Sequence, residues 1–153
     1  MSVALEVCSI LVVGWVAGAE SGSWSCVQPL VERLPYEQQI AMEQGMLRTF
    51  GRIMPILMPL SGILAVATAI DSAGGDGGAL WLRIAAAACV GAATITTLVV
   101  NVPINARTGR WQPTDDNAEW SRMRTRWHVF QGVRSILLVA AFIMLAVALA
   151  VAD

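Results

Sequence analysis

Apolar and polar positions alternate along this chain in long blocks. Four runs of 17 to 20 mostly apolar residues each adjoin a polar, helix-patterned extension. The first run continues into ESGSWSCVQPLVERL, and Pro35 stops it. The second grows out of the polar turn YEQQIAMEQ and is apolar over positions 53–70, with Pro55 and Pro59 inside. The third follows a glycine-rich stretch, DSAGGDGG, and ends at the string NVPIN. The fourth begins with the charged lead-in SRMRTRWHVFQGVR and is apolar to near the end of the chain. Runs of this length match a hydrocarbon layer about 30 Å thick. The pattern predicts an all-α protein, a four-transmembrane-helix bundle of up-down-up-down topology in a single domain over 1–153. Its spans are expected at about 3–34, 36–70, 79–105 and 117–152. The first run lacks a basic leader, contains Glu6 and is followed by further spans, so it reads as a retained helix and not a signal peptide.

Composition sharpens this. The chain is 56% hydrophobic and 14% charged, where a soluble domain carries about a quarter charged residues. All ten basic residues are arginine, a bias that codon usage explains. Every arginine except Arg83 falls on the connections around 28–52 and 105–134. The positive-inside rule therefore puts those connections in the cytoplasm and both termini outside, in a multi-pass protein of the cell membrane. Arg83 is expected to snorkel to the opposite interface. The net charge of −1 gives no reason to expect a nucleic-acid partner. Cys8, Cys26 and Cys89 show no metal-ligand spacing and read as small apolar filler. The prolines at 55 and 59 each free a backbone carbonyl and predict a kink. The small residues of span three permit close pairing and leave a homo-oligomer open.

Candidate chemistry gathers at one edge of each run, at Glu20, Arg52, Asn101 and Arg134. In an up-down bundle these edges share one side, and polar groups near hydrocarbon survive by pairing or by serving a site. Glu20 is either an ion-pair partner for an arginine or a partly desolvated carboxylate able to move a proton. Trp24 and Gln28 follow it at i+4 and i+8, on the same helix face. Asn101 and Asn105 flank Pro103 and either satisfy the opened backbone or bind a carbonyl or phenol. Trp120, Arg124, Trp127, Gln131 and Arg134 form one stripe of the last helix, with His128, the single histidine, beside it. Trp111 and Trp120 read as interfacial anchors. Trp127, His128 and Arg134 read as site residues, because a guanidinium and aromatic surface suits an anionic planar ring.

The segment WVAGAESGSW with Pro29 after it, NVPIN followed by Trp111, and RWHVFQGVRS opening the last helix resemble the anthrone oxygenase-like family of small membrane proteins. The resemblance covers nearly the whole chain. It implies a four-helix membrane bundle that oxidises anthrone-type compounds with dioxygen, without a metal, flavin or other cofactor. Carried over, the motif positions are Asn101, Pro103, Asn105, Trp111, Trp127, His128 and Arg134. The combined reading is an enzyme acting on a hydrophobic phenolic or anthrone-type carbon acid drawn from the lipid bilayer. Glu20 or His128 would take the proton, and Asn101, Asn105 and Arg134 would stabilise the oxyanion. Trp24, Trp111, Trp127, Gln131 and Arg52 would contact the substrate. The rival reading is a non-catalytic membrane protein that binds a lipid or a partner subunit, with Glu20 locked to Arg52 or Arg134.

Overall fold

The computed structural model describes residues 3–74 and 77–151, with no side-chain detail at 77 and 78. Among the described residues there are helices and connections and no strands. Helix α1 runs Val3–Gly22, widens into a π turn at Ser23–Val27 and ends as Gln28–Val31. Helix α2 is Tyr36–Asp71. Helix α3 runs Gly77–Thr96, passes through a second π turn at Thr97–Asn101 and ends as Val102–Thr108. Helix α4 is Asn117–Ala150. All four are long and apolar enough to cross a membrane, as a multi-pass protein requires. The glycine-rich connector expected at 71–78 lies partly outside the described residues, and α3 already begins at Gly77.

Local chemistry explains the ends and the irregularities. Pro35, with φ −55° and ψ 147°, caps α2, and Glu37 in its first turn suits the positive helix start. The Asp116 carboxylate accepts from the Ala118 N–H at 2.8 Å and opens α4. Each π turn ends two residues before a proline, Pro29 or Pro103. A proline has no N–H for the carbonyl four residues back, and its ring crowds that carbonyl. The chain answers with a wider turn: the Gln28 N–H reaches the Ser23 carbonyl and the Val102 N–H reaches the Thr97 carbonyl.

Neighbour pairs fix the arrangement. Glu6 of α1 meets Arg83 of α3, which also reaches the Ala148 carbonyl of α4. Further along α1, Glu20 meets Arg134 of α4. On α4, Ala148 thus lies at the level of the Glu6–Arg83 pair and Arg134 at the level of Glu20. The main core, with Val13, Val16, Ala65, Ala86, Val90, Ala93 and Leu138, fills the middle. A second cluster of Ile40, Ile104, Trp111, Trp120, Met123 and Trp127 closes one end. Ile56, Ile63, Ile70 and Leu11 point outward, an apolar exterior that hydrocarbon would satisfy.

Two expectations are corrected here. Arg83 does not snorkel: it is 2% exposed and paired with Glu6 inside the bundle. It lies on the stripe Ala79, Arg83, Ala86, Val90 and Ala93, which faces inward. Trp111 and Trp120 are not outward anchors. Both are buried against Tyr36, with the Trp111 indole donating to the Tyr36 hydroxyl at 3.0 Å and the Trp120 indole to Gln39 Oε1 at 3.3 Å.

Candidate functional site

A cavity of about 490 Å³ lies inside the end of the bundle that carries both π turns. Its apolar wall comes from α2 through Met46, Leu47, Phe50, Met54 and Met58. Its polar groups come mainly from α1 and α4. Glu20 Oε2 accepts from Gln131 Nε2 at 2.6 Å and from Arg134 Nη2 in a buried ion pair. The same Arg134 nitrogen also donates to Gln131 Oε1, and Nη1 reaches the Thr97 hydroxyl at 3.2 Å. Both bonds to the carboxylate fall on Oε2. Its Oε1 takes none from any described residue.

Nearer the end of the bundle, Glu43 and Gln28 also line the cavity, and both are buried. Arg124 Nη2 donates to Glu43 Oε1 at 2.5 Å, and its guanidinium lies 4.3 Å from the centre of the Trp127 ring. The Trp127 indole donates to Asn105 Oδ1 at 2.8 Å. Trp127 is therefore held at its edge by an amide and on its face by a cation, a fixed aromatic wall. The cavity thus combines two buried carboxylates, each balanced by an arginine, with a sulfur and aromatic lining. Among the described residues, no group of three His, Cys, Asp or Glu side chains could hold a metal ion. The lining is mostly apolar with a few convergent polar groups, the usual form of a small-molecule site.

The residues expected from sequence fall into two groups. Glu20, Asn105, Trp127, Gln131 and Arg134 line the cavity together. Asn101, Trp24, His128, Trp111 and Arg52 are not among its lining residues. Asn101 is fully buried next to the wall, and neither atom of its amide has a hydrogen-bond partner. It therefore does not repair the backbone opened by Pro103; the π turn does that. Trp24 sits within the first π turn and, unlike Glu20 and Gln28, does not line the cavity. Its indole donates to His128 Nε2 at 3.1 Å, and its ring packs on Gly132, where a methyl group would come within 2.7 Å. His128 Nδ1 stands 3.7 Å from Glu32 Oε1. Arg52 is exposed, so Glu20 is locked to Arg134 and not to Arg52.

Glu43 escaped the sequence reading because it stands in the mostly polar stretch YEQQIAMEQ at the start of α2. Its signal was spacing: Ile40, Glu43, Leu47, Phe50 and Met54 repeat at three and four residues, the inward face of α2.

A family model described as anthrone oxygenase matches residues 46–144. The chain belongs to the anthrone oxygenase family. The matched stretch runs from within α2 to within α4 and contains Asn101, Asn105, Trp111, Trp127, His128, Gln131 and Arg134. It leaves out Glu20, Trp24 and Glu43, which the fold alone brings to the same end of the bundle. No curated protein and no solved structure matches the chain. Membership supports an oxygenase-like role.

Proposed function

We propose that the protein oxidises a hydrophobic phenolic or anthrone-type carbon acid with dioxygen, inside this cavity and without a cofactor. The observation that carries the reading is the Glu20–Arg134 pair: one carboxylate oxygen is tied down, and the other takes no hydrogen bond beside an apolar cavity. A substrate ring rests against Trp127 and the methionine wall, with its carbonyl oxygen toward Arg134. Glu20 Oε1 takes the acidic C–H proton. Negative charge then moves from the carboxylate to the substrate oxygen, and Arg134 serves as counter-ion before and after. The number of buried charges does not change, which avoids the desolvation penalty of creating a new one. The carbanion carbon bonds to dioxygen and, once protonated, becomes a hydroperoxide. Loss of the second C–H proton with cleavage of the O–O bond leaves a ketone and one water. Overall a CH₂ group and O₂ become C=O and H₂O. Of the two candidate bases, Glu20 lines the cavity and His128 does not. His128 instead holds Trp24 and, through it, the first π turn.

In this reading the arginine-bearing connections face the cytoplasm and both termini lie outside. The support is the concentration of arginine on two connections.

The test is the purified protein in lipid vesicles with anthrone as probe. One dioxygen consumed per anthraquinone formed, well above empty vesicles, is expected. A rate equal to empty vesicles removes anthrone as a substrate.

The buried ion pair also favours a second reading, a structural lock in a non-catalytic protein that binds a lipid or a partner subunit. Removing one member of a buried pair costs about 3–5 kcal/mol. A Glu20→Gln variant that unfolds in vesicles supports the lock, and one that stays folded but inactive supports catalysis.

A further inference from the structure

We propose that the cavity opens sideways through a window between α2 and α3, and that its ligand enters there from the hydrocarbon of the bilayer. The direction of the opening follows from which walls are buried. On the α1 and α4 side, Glu20, Gln28, Trp127, Gln131 and Arg134 line the cavity and are all buried. On the other side, Gly51, Pro55 and Pro59 of α2 and Leu98, Val102 and Ala106 of α3 line the same cavity yet are exposed. A residue that borders an interior space and the outside at once is the rim of an opening.

The two helices are joined on both sides of this rim. Toward the end of the bundle, Gln44 Nε2 donates to the carbonyls of Thr108 at 3.1 Å and Trp111 at 2.9 Å. Toward the middle, Gly62 packs near Val90, whose Cγ1 lies 3.8 Å from where a Cβ on Gly62 would stand. Between these fastenings both helices are irregular. Pro55 and Pro59 stand inside α2, where each removes a backbone donor, and the π turn Thr97–Asn101 widens α3 ahead of Pro103. Proline rings and wide turns are the usual causes of helix bends. The prolines of α2 and the wide turn of α3 thus stand on the two sides of the opening.

The rim is apolar, and the outward residues around it, Ile53, Ile56, Ile95 and Val99, are apolar too. Water gains nothing there, whereas a planar, uncharged molecule dissolved in lipid crosses without losing hydrogen bonds. The window leads from Leu98 and Pro59 inward to Arg134 and Glu20. The ligand class rests on the proposed function; the opening itself does not.

The experiment reads access directly. Cys8, Cys26 and Cys89 are replaced by serine, and Met54→Cys puts one thiol on the cavity wall; Leu47→Cys is the second site if the first variant fails to fold. The protein is embedded in phosphatidylcholine vesicles. A lipid-soluble pyrene maleimide is expected to label the thiol faster than a charged, membrane-impermeant maleimide supplied from both sides. Adding Val102→Trp or Leu98→Trp at the rim is expected to slow the lipid-soluble reagent about tenfold, roughly 1.4 kcal/mol on the barrier, with the melting temperature unchanged. Equal labelling by the charged reagent, or no slowing by either tryptophan, overturns the window. Normal lipid-phase labelling in a protein that leaves anthrone untouched upholds the window while the oxidation reading fails.

Discussion

Two buried carboxylate–arginine pairs, Glu6–Arg83 and Glu20–Arg134, occupy opposite halves of the bundle and differ in their surroundings. The carboxylates lie on one helix, about 21 Å apart along its axis, and all four side chains are buried. Around Glu6 and Arg83 the helices are regular, and the guanidinium's other contact is the Ala148 carbonyl of α4. Around Glu20 and Arg134 stand two π turns and the two prolines of α2, and the pair borders a cavity. Burial of an ion pair is therefore a weak sign of a site. The distinguishing feature is the combination of a buried pair with a cavity beside it.

The sharpest way to break this comparison is to treat both pairs alike. Arg134→Met and Arg83→Met should each destabilise the protein by about 3–5 kcal/mol, because each strands a buried carboxylate. Neutralising the partner as well, with Glu20→Leu or Glu6→Leu, should restore most of that loss. The restored proteins should then diverge: Glu6→Leu/Arg83→Met keeps anthrone turnover, and Glu20→Leu/Arg134→Met loses it. Unfolding in detergent and dioxygen uptake read the two effects. Turnover lost in both doubles would erase the distinction between the ends.

A smaller effect is expected from Gly132→Ala. The added methyl group would fall 2.7 Å from the Trp24 ring, and overpacking of this kind costs about 1–3 kcal/mol. Indole fluorescence should report the displaced Trp24. Trp127→Phe removes the hydrogen bond to Asn105, worth about 1 kcal/mol, and should raise KM more than it lowers kcat. At the bottom of the scale, Arg107→Gln breaks the exposed pair with Glu119, for which a change of about 1 kcal/mol or less is expected. A larger loss of melting stability there would show that exposed pairs matter as much as the two buried ones.

How much of this was legible depended on helix regularity. The four helices followed from the apolar runs, with small differences at their ends: α1 stops at Val31 and α3 continues to Thr108. In α4, an uninterrupted helix, Trp127, Gln131 and Arg134 turned inward as their spacing implied, and Trp120, expected as an anchor, turned inward with them. In α1 and α3 a fixed 3.6-residue period failed within the π turns, where a turn takes more than 3.6 residues. Trp24, within the first of them, does not line the cavity that Glu20 and Gln28 line. Asn101 and Asn105, four apart, ended respectively in a packed interior and on the cavity wall. The prolines that cause both turns, Pro29 and Pro103, were visible, but sequence alone does not say whether a proline kinks, ends or widens a helix. Arg83 and Glu43 were readable from buried stripes at three- and four-residue spacing and were hidden by the habit of assigning charge to interfaces.

The most direct measurement is dioxygen uptake with anthrone by Glu20→Gln in lipid vesicles, beside its melting curve. A general base contributes about 10²- to 10⁴-fold, and the glutamine keeps the size of the side chain and an acceptor for Arg134. A folded variant with uptake reduced by that factor is expected. Uptake equal to the unsubstituted protein, at equal stability, would contradict proton transfer to Glu20 and with it the role given to the cavity.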